Sequence, residues 1–475
     1  MPKSLHVNRR QFGAALAPLA LEAQQRAARP NILLILSDDH TAEFAGCYGN
    51  PTIQTPNLDR FASEGMRFTR FFCSAPQCVP SRAAFLTGRS PVAVRMSRFT
   101  SPLPPDVVTL PEVLRSQAGY FTGICRRHFH LDGAIGPNTK AVFEKHHLQT
   151  FDRRVDYLDR SSPRAQTAQR INEFFDRRPA DQPFFLWVNF DDPHHPWDNI
   201  PNGIDPKKLR VPSYLPDLPG VREDLRRYYD EVQRMDGEFQ LTLDTVAKRA
   251  GGLDNTLVLF AGDNGFPFPH GKGTLYDPGL NVPFLMRWPG RIQPGAVCQD
   301  LVSGEDYAPT MLAAAGVTAP PAMSGVSFLP RLLGQTHQSR RYVFAQRVTH
   351  GSRPYQEGTT THTFDLSRMA RSSRYKLIYN CTPQQKYSPV DSYFDASWRE
   401  MADEHAWGRL DPRFSRTYFA HARPVFELYD LEQDPDELIN LAGRADLQGT
   451  ERELKLALQE KMILDYDYLP LPLTP

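Results

Sequence analysis

The stretch that organises this chain reads Cys78-Val79-Pro80-Ser81-Arg82-Ala83-Ala84-Phe85-Leu86-Thr87-Gly88-Arg89. Its composition predicts a helix from about Ser81 to Gly88, with Pro80 in the first turn, where a missing N–H costs nothing, and with Gly88 as the C-terminal cap. Cys78 then lies beside a helix N-terminus, whose free N–H groups favour an anion, and Arg82 follows one turn later. Both are candidate site residues, although a free cysteine in such a place is ordinarily buried and inert.

Length and composition predict a large globular protein. With 475 residues, the chain can bury a sizeable core, and one large domain plus one small domain is the natural division. The formal net charge of +1 gives no global field that would attract nucleic acid or an anionic membrane. No apolar run reaches the length of about 18 residues that a transmembrane helix needs. The six cysteines contain no C-x-x-C pair and form no evident disulfide framework.

Three apolar runs predict buried strands of a parallel sheet, and polar residues follow each run. The runs span residues 31–36, 183–190 and 255–260. Continuous apolar sequence is typical of strands that are covered on both faces. Asp38 and Asp39 follow the first run, His194 follows the second, and Asp263 with Asn264 follows the third. Because α/β sheets bind ligands at the carboxyl ends of their strands, and because adjacent aspartates supply oxygen ligands, Asp38 and Asp39 suit a hard cation such as Ca²⁺.

The motif at residues 78–89 resembles the signature of type I sulfatases, which belong to the alkaline phosphatase superfamily. Further matching motifs are the aspartate pair at 38–39, D-P-H-x-P at 192–196, D-N-G at 263–265 and E-L-Y-D at 427–430. The resemblance implies an α/β fold: an alkaline-phosphatase-like large domain with a central, mostly parallel sheet flanked by helices, and a smaller C-terminal α+β domain with an antiparallel sheet. We expect the catalytic domain at residues 29–338 and the C-terminal subdomain at residues 339–475.

The resemblance also implies a nucleophile and a metal. In this family the motif cysteine is oxidised by a separate formylglycine-generating enzyme, so Cys78 would be the precursor of formylglycine, whose hydrate attacks sulfur. Asp38, Asp39, Asp263 and Asn264, together with the modified residue 78, would hold the metal, with Ca²⁺ expected and Mg²⁺ as the alternative. The metal would lower the pKa of the geminal diol, and expulsion of sulfate would regenerate the aldehyde.

The resemblance assigns the sulfate contacts to basic residues. Lys272 and His194 would hold the sulfuryl oxygens, and His194 would also protonate the leaving group. Arg82 would stabilise the anion. His270 is an alternative to Lys272, but a loop histidine of this kind is more often solvated.

One segment departs from the family pattern. Relatives usually carry G-K-x-H where this chain has Arg126 in the glycine position and Arg127 in the lysine position. Arginine can replace lysine in binding an anion, with the forked N–H donors of a planar guanidinium in place of the point charge of an ammonium group. The histidine appears one residue late, at His130, unless His128 takes that role. We expect Arg127 to bind the anion and His130 to take a proton from the second hydroxyl of residue 78.

The N-terminus carries a candidate export signal. Arg9 and Arg10 precede a short apolar run at residues 13–21, which resembles a twin-arginine signal and defines residues 1–28 as the signal segment. This predicts a periplasmic or secreted protein. A basic tail on a cytoplasmic enzyme is the alternative.

Within the family, residues 234–236, 263–269 and 393–394 look most like the sulfamidase branch, which hydrolyses N-sulfoglucosamine. The sequence therefore predicts a hydrolase that removes sulfate from a sulfated sugar or polysaccharide, as in glycosaminoglycan degradation. Its expected partners are the sulfated carbohydrate and the maturation enzyme, without nucleic acid or a membrane span. A phosphonate or phosphate monoester hydrolase of the same superfamily is one alternative. An inactive homologue that binds sulfated glycan is another, because of the departure at Arg126 and Arg127.

Overall fold

The computed structural model describes residues 29–98, 102–126, 129–132, 137–148, 150–159, 166–198, 200, 203–349 and 364–471. The candidate export signal at residues 1–28 lies outside the described residues, as do Arg127 and His128. Within the described ranges, no helix combines the length and the hydropathy needed to cross a bilayer.

A large mixed sheet forms the centre of the protein. The first ten strands are β1 Asn31–Ser37, β2 Met66–Phe68, β3 Phe71–Phe72, β4 Phe121–Cys125, β5 Tyr157–Leu158, β6 Phe184–Asn189, β7 Thr256–Gly262, β8 Phe284–Arg287, β9 Ala296–Cys298 and β10 Val302–Ser303. Eight of them form one sheet in the order β5-β4-β6-β1-β7-β8-β2-β9. The five strands from β5 to β7 are parallel neighbours, whereas β8 runs antiparallel to β7 and β2. The expected mostly parallel sheet is confirmed.

The central strand β1 is apolar throughout because both of its faces are buried. Ile32, Leu34 and Leu36 pack into one hydrophobic cluster, and Leu33 and Ile35 pack into a second cluster on the opposite face. Burial on both faces explains why this strand shows no polar alternation.

Helices cover both faces of the sheet. In the described part of the chain they are Pro56–Ser63, Cys78–Thr87, Leu110–Ala118, Phe129–Asp132, Pro137–Lys145, Phe151–Arg154, Thr167–Arg177, Pro219–Ala250, Asp277–Leu280, Tyr307–Ala314, Leu329–Leu332, Ala396–Ala406, Pro412–Tyr418 and Gln448–Leu464. Short 3-10 helices span Ala42–Phe44, Gly46–Tyr48, Pro206–Lys208, Gly304–Asp306, Ser392–Phe394 and Ala445–Leu447. The longest helix, Pro219–Ala250, contributes Val232, Met235 and Phe239 to the cluster that contains Leu33 and Ile35.

A smaller antiparallel sheet lies in the C-terminal part. Its strands are β11 Val343–Thr349, β12 Phe364–Arg371, β13 Tyr375–Asn380 and β14 Phe426–Asp430, paired in that order. Each neighbouring pair is antiparallel, which confirms the expected second sheet. The helix Gln448–Leu464 packs on it through Leu454, Leu458 and Met462. The domain boundary at residue 338 stays a prediction.

The helix after Gln77 begins earlier than the sequence predicts. It runs from Cys78 to Thr87, so Cys78 is its first residue and does not merely precede it. Gly88 ends the helix as expected, in the left-handed conformation with φ 61°, and its N–H donates to the carbonyl of Ala84 at 2.9 Å. The residues of the helix are buried throughout, which indicates that it packs inside the protein.

Candidate active site

The polar residues that follow four neighbouring strands meet at one edge of the large sheet. The strands lie side by side in the order β4-β6-β1-β7. β4 leads to His130, and β6 ends in Asn189 and leads to His194. β1 leads to Asp38 and Asp39, and β7 leads to Asp263 and Asn264. Parallel strands present their carboxyl ends at the same edge, so residues far apart in sequence become neighbours. The N-terminus of the helix Cys78–Thr87 lies against the same residues.

The Cys78 side chain is fully buried among carboxylates. Its thiol donates a hydrogen bond to Asp38 Oδ1 at 3.2 Å, and its Sγ lies 3.8 Å from Asp39 Oδ1. Burial, followed by the charge of Asp38, raises the pKa of the Cys78 thiol well above its usual value. A thiol in these surroundings keeps its proton and is a poor sulfur nucleophile.

Arg82 is fully buried and binds the carboxylates of a polar cluster that contains Cys78, Asp38, Asp39 and Asp263. Its Nε donates to Asp263 Oδ2 at 2.9 Å, and its Nη2 donates to Asp38 Oδ2 at 2.9 Å. The third contact runs from Nη1 to the side-chain oxygen of Asn189. The observed contacts of Arg82 therefore fix two aspartates in place. Asn189 was not predicted from the sequence, although a polar residue at the end of an apolar strand is a usable signal.

Lys272 connects the inner part of the cluster to its outer part. Its Nζ lies 2.8 Å from Asp39 Oδ2, 2.7 Å from Asp391 Oδ2 and 3.3 Å from His194 Nε2. Burial opposes a charged lysine, but the carboxylates of Asp39 and Asp391 outweigh it and raise the pKa of Lys272 well above its usual value. Asp391 comes from the C-terminal part of the chain, where no sequence motif indicates a site residue.

Two of the candidate histidines lie in the cluster. His130 Nδ1 is 3.4 Å from Asp38 Oδ2, and His194 Nε2 is 3.7 Å from Asp39 Oδ2. The two rings are 6.3 Å apart between centroids. The structure thus brings His130 to the site from one residue beyond the usual position of the family histidine.

His270 is buried outside the cluster, so the expectation that it is solvated is wrong. Its ring stacks on Tyr276 with 4.1 Å between centroids, and its Nε2 lies 2.8 Å from the carbonyl oxygen of Asp436. Aromatic residues of the same loop and of the C-terminal part enclose the ring, which sequence alone does not reveal.

The electrostatics of the cluster favour a bound cation. Three fully buried aspartates, at positions 38, 39 and 263, and the less buried Asp391 face two permanent cations among the described residues, Arg82 and Lys272. Burial and mutual repulsion raise the pKa of Asp39 well above its usual value and that of Asp263 to about 6. Buried carboxylates in excess of their counter-charges are unfavourable unless a cation is bound.

The donor atoms also suit a hard cation. Asp38, Asp39, Cys78 and His194 each offer a ligand atom, and these atoms lie within 4.8 Å of one another. Asn264 donates through Nδ2 to Asp39 Oδ1 at 2.8 Å, while its buried Oδ1 accepts no hydrogen bond from the described residues. A buried amide oxygen beside several carboxylates matches the oxygen ligands of Ca²⁺ or Mg²⁺. The residues therefore fit a divalent cation.

Asp39 holds its place through an unusual backbone conformation. Its φ is 63°, in the left-handed region that is unfavourable for residues with a side chain. Its N–H donates to Asp263 Oδ1 at 3.0 Å, which ties the end of β1 to the end of β7. Such strained residues cluster at functional sites.

Arg126, the residue in the family's glycine position, is accommodated outside the cluster. Its φ of 63° is one that glycine adopts without strain. The side chain is fully buried, where the guanidinium binds Asp191, Glu238 and Thr167. The backbone thus keeps a glycine-like conformation, and carboxylates away from Cys78 neutralise the added charge.

Comparison with known proteins identifies the family. The family model described as "Sulfatase" matches residues 30–317, and the one described as "N-sulphoglucosamine sulphohydrolase, C-terminal" matches residues 267–401. The chain is 30% identical to human N-sulphoglucosamine sulphohydrolase over 468 residues, covering 87% of this chain and 86% of that protein. It is 28% identical to an ulvan-active sulfatase of Formosa agariphila over 499 residues, covering 94% and 76%.

A solved structure shows the same fold. The phosphonate monoester hydrolase of Silicibacter pomeroyi superposes with a TM-score of 0.68 at 19% identity, covering 93% of this chain and 96% of that one. Because the first family model alone matches more than half of the chain, the similarity extends well beyond a local motif. The chain therefore belongs to the sulfatase family of sulfuric ester hydrolases.

Proposed function

We propose that this enzyme removes sulfate from a sulfated sugar, with N-sulfoglucosamine as its preferred substrate. Water cleaves the S–N bond of the sulfamate, or the S–O bond of a sulfate ester, and the products are the free amine or alcohol and inorganic sulfate. The match of residues 267–401 to the model described as "N-sulphoglucosamine sulphohydrolase, C-terminal" supports the sulfamate. The observation that carries the proposal is the buried cluster of cations, histidines and carboxylates around Cys78.

The nucleophile and the metal follow from the same cluster. We assign Cys78 as the residue that a separate maturation enzyme converts to formylglycine, which would supply an oxygen nucleophile in place of sulfur. Asp38, Asp39, Asp263 and Asn264 would hold a divalent cation, for which we propose Ca²⁺ with Mg²⁺ as the alternative. The cation would offset the negative charge of the carboxylates and of the sulfate.

The remaining residues bind the anion and move protons. Lys272 would bind a sulfuryl oxygen, where its charge stabilises the charge that gathers in the transition state. His194, which is 3.3 Å from Lys272 Nζ, would protonate the departing nitrogen or oxygen. His130, at 3.4 Å from Asp38, would accept a proton from the modified residue 78.

Two arginines complete the proposed set. Arg82 would hold Asp38 and Asp263 and add positive charge beside the nucleophile, as its contacts suggest. Arg127 would bind the sulfate in place of the family lysine, which is a proposal from sequence because Arg127 lies outside the described residues. Export through the twin-arginine signal at residues 1–28 is likewise proposed from the sequence.

Sulfate release tests this function. Protein produced together with a maturation enzyme and loaded with Ca²⁺ is incubated with N-sulfoglucosamine, and inorganic sulfate is measured by ion chromatography. We expect steady release that Cys78→Ala abolishes. Phosphate and phosphonate monoesters are assayed in parallel, since the fold is shared with a phosphonate monoester hydrolase. Faster turnover of these esters than of any sulfated substrate would overturn the proposal.

A further inference from the structure

A short segment of the C-terminal part borders the active site. This rim segment, Asp391 to Asp395, contacts the cluster region at two points. Asp391 Oδ2 lies 2.7 Å from Lys272 Nζ, and Asp395 Oδ2 lies 2.9 Å from Nε2 of His195, the neighbour of His194. Nothing in the catalytic assignments above uses the rim segment.

The rim segment lies on the outer side of the sulfate-binding residues. Lys272 Nζ is held between Asp39, whose side chain has no exposure, and Asp391, whose side chain is 12% exposed. His194, beside Lys272, is 24% exposed. Exposure therefore increases from Asp39 towards Asp391 and His194. A sulfate bound at Lys272 and His194 must direct the rest of its molecule to this outer side.

The rim segment also presents an exposed aromatic ring. The Phe394 side chain is 64% exposed, although it belongs to a segment that is otherwise anchored. Ser392 is buried, and the helix that follows is fixed by the N–H of Ser397, which donates to Asp224 Oδ2 at 2.7 Å. Since the anchors hold the segment in place, Phe394 needs little ordering when a ligand packs against it.

We propose that the rim segment binds the sugar ring that carries the sulfate. The Asp391 carboxylate accepts hydrogen bonds from ring hydroxyls, while Phe394 packs against the apolar C–H face of the ring. The same carboxylate repels a second anionic group, so sugars with one sulfate are preferred over sugars with a neighbouring second sulfate. This inference rests on the proposed function and adds the residues that select the sugar.

Substrate selectivity tests the rim segment. For wild type, Asp391→Asn and Phe394→Ala, kcat/KM is measured on N-sulfoglucosamine and on 4-nitrophenyl sulfate, which carries no sugar. Because Asp391 also pairs with Lys272, Asp391→Asn is expected to change kcat/KM on both substrates. We expect each variant to lower the ratio of the sugar value to the 4-nitrophenyl sulfate value by about tenfold or more, through a higher KM for the sugar, as expected for the loss of a contact to the substrate. Tyr468→Ala, at an 86% exposed aromatic outside the rim segment, is the control and keeps the wild-type ratio.

A binding measurement separates this inference from the proposed function. Calorimetric titration of the Cys78→Ala protein with N-sulfoglucosamine, alone and combined with Asp391→Asn or Phe394→Ala, needs no turnover. We expect each added rim variant to weaken the affinity by about tenfold. A wild-type ratio in the rim variants, with or without equal losses on both substrates, would overturn the rim proposal. Titrations in which the rim variants leave the affinity unchanged would also overturn it. A wild-type enzyme that releases no sulfate would refute the proposed function alone. The titrations would still show whether the rim segment binds the sugar.

Discussion

Arg126→Met is expected to destabilise the protein strongly, even though Arg126 does not touch Cys78. The guanidinium is fully buried and binds Asp191 and Glu238, whose side chains are 29% and 9% exposed. Removing it takes a buried positive charge away from two carboxylates in a largely buried region. Methionine retains a Cβ and a similar length, so the left-handed backbone conformation at φ 63° is equally strained in both proteins.

The magnitude follows from the burial of the two partners. Removal of one partner from a buried ion pair costs roughly 3–5 kcal/mol. Asp191 is partly exposed and regains some hydration, so we expect a loss of about 2–4 kcal/mol in the free energy of unfolding. Activity should fall as well. Arg126 lies four residues before His130, and its partner Asp191 lies three residues before His194, so loss of this ion pair should disturb the positions of both histidines.

Urea unfolding followed by tryptophan fluorescence and by circular dichroism measures this loss, and coincident curves justify a two-state treatment. Arg341→Ala is the matched control, because Arg341 is 73% exposed and pairs with the 48% exposed Glu453 at 2.8 Å. Its removal should cost less than about 1 kcal/mol. Pairing Arg126→Met with Glu238→Gln should recover part of the loss. A cost for Arg126→Met no larger than that of the control would refute the reasoning.

Three further changes test the same structure. Gly265→Ala places a Cβ 1.9 Å from the carbonyl oxygen of Pro278, so it should cost roughly 1–3 kcal/mol, whereas Gly237→Ala meets nothing within 4 Å in a helix and should stabilise by about 0.5–1 kcal/mol in the same urea assay. Burial lowers the pKa of His270 to about 3, so below about pH 6.5 only the unfolded chain takes up that proton and stability falls. His270→Asn should therefore reduce the loss of unfolding free energy between about pH 7 and pH 4.5, and an unchanged slope would contradict the assignment. A chelator should lower the thermal midpoint and Ca²⁺ restore it, since a cation at about 100 times its Kd adds about 2.7 kcal/mol; insensitivity to both would argue against the metal site.

Apolar runs allowed much of the fold to be predicted from the sequence. The runs at 31–36, 183–190 and 255–260 correspond to β1, β6 and β7. They could be predicted because strands that are buried on both faces have continuous hydrophobic sequence. The strands β4 and β12 were not predicted. The first contains Thr122, Gly123 and Cys125, and the second mixes arginines with apolar residues. Such strands are fixed by their neighbours in the sheet more than by local preference.

The candidate site residues were predicted where they lie in recognisable motifs, whereas Asn189, at the end of β6, and Asp391 were missed because their roles depend on tertiary contacts. Asp38, Asp39, Asp263 and Asn264 follow apolar runs, so their positions could be read in order along the chain. Asp391 lies far from any such run and reaches Lys272 only because the C-terminal part packs against the large sheet. The buried ion pairs of Arg126 likewise depend on partners from two other elements.

The mass of the peptide that contains Cys78 tests the central claim most directly. Conversion of the thiol to an aldehyde lowers the peptide mass by about 18 Da, the mark of the activated nucleophile. Preparations with different converted fractions are made by varying the supply of the maturation enzyme. We predict that the rate of sulfate release rises in proportion to the converted fraction and vanishes with unmodified Cys78. Full sulfate release from protein whose Cys78 remains a thiol would contradict the account.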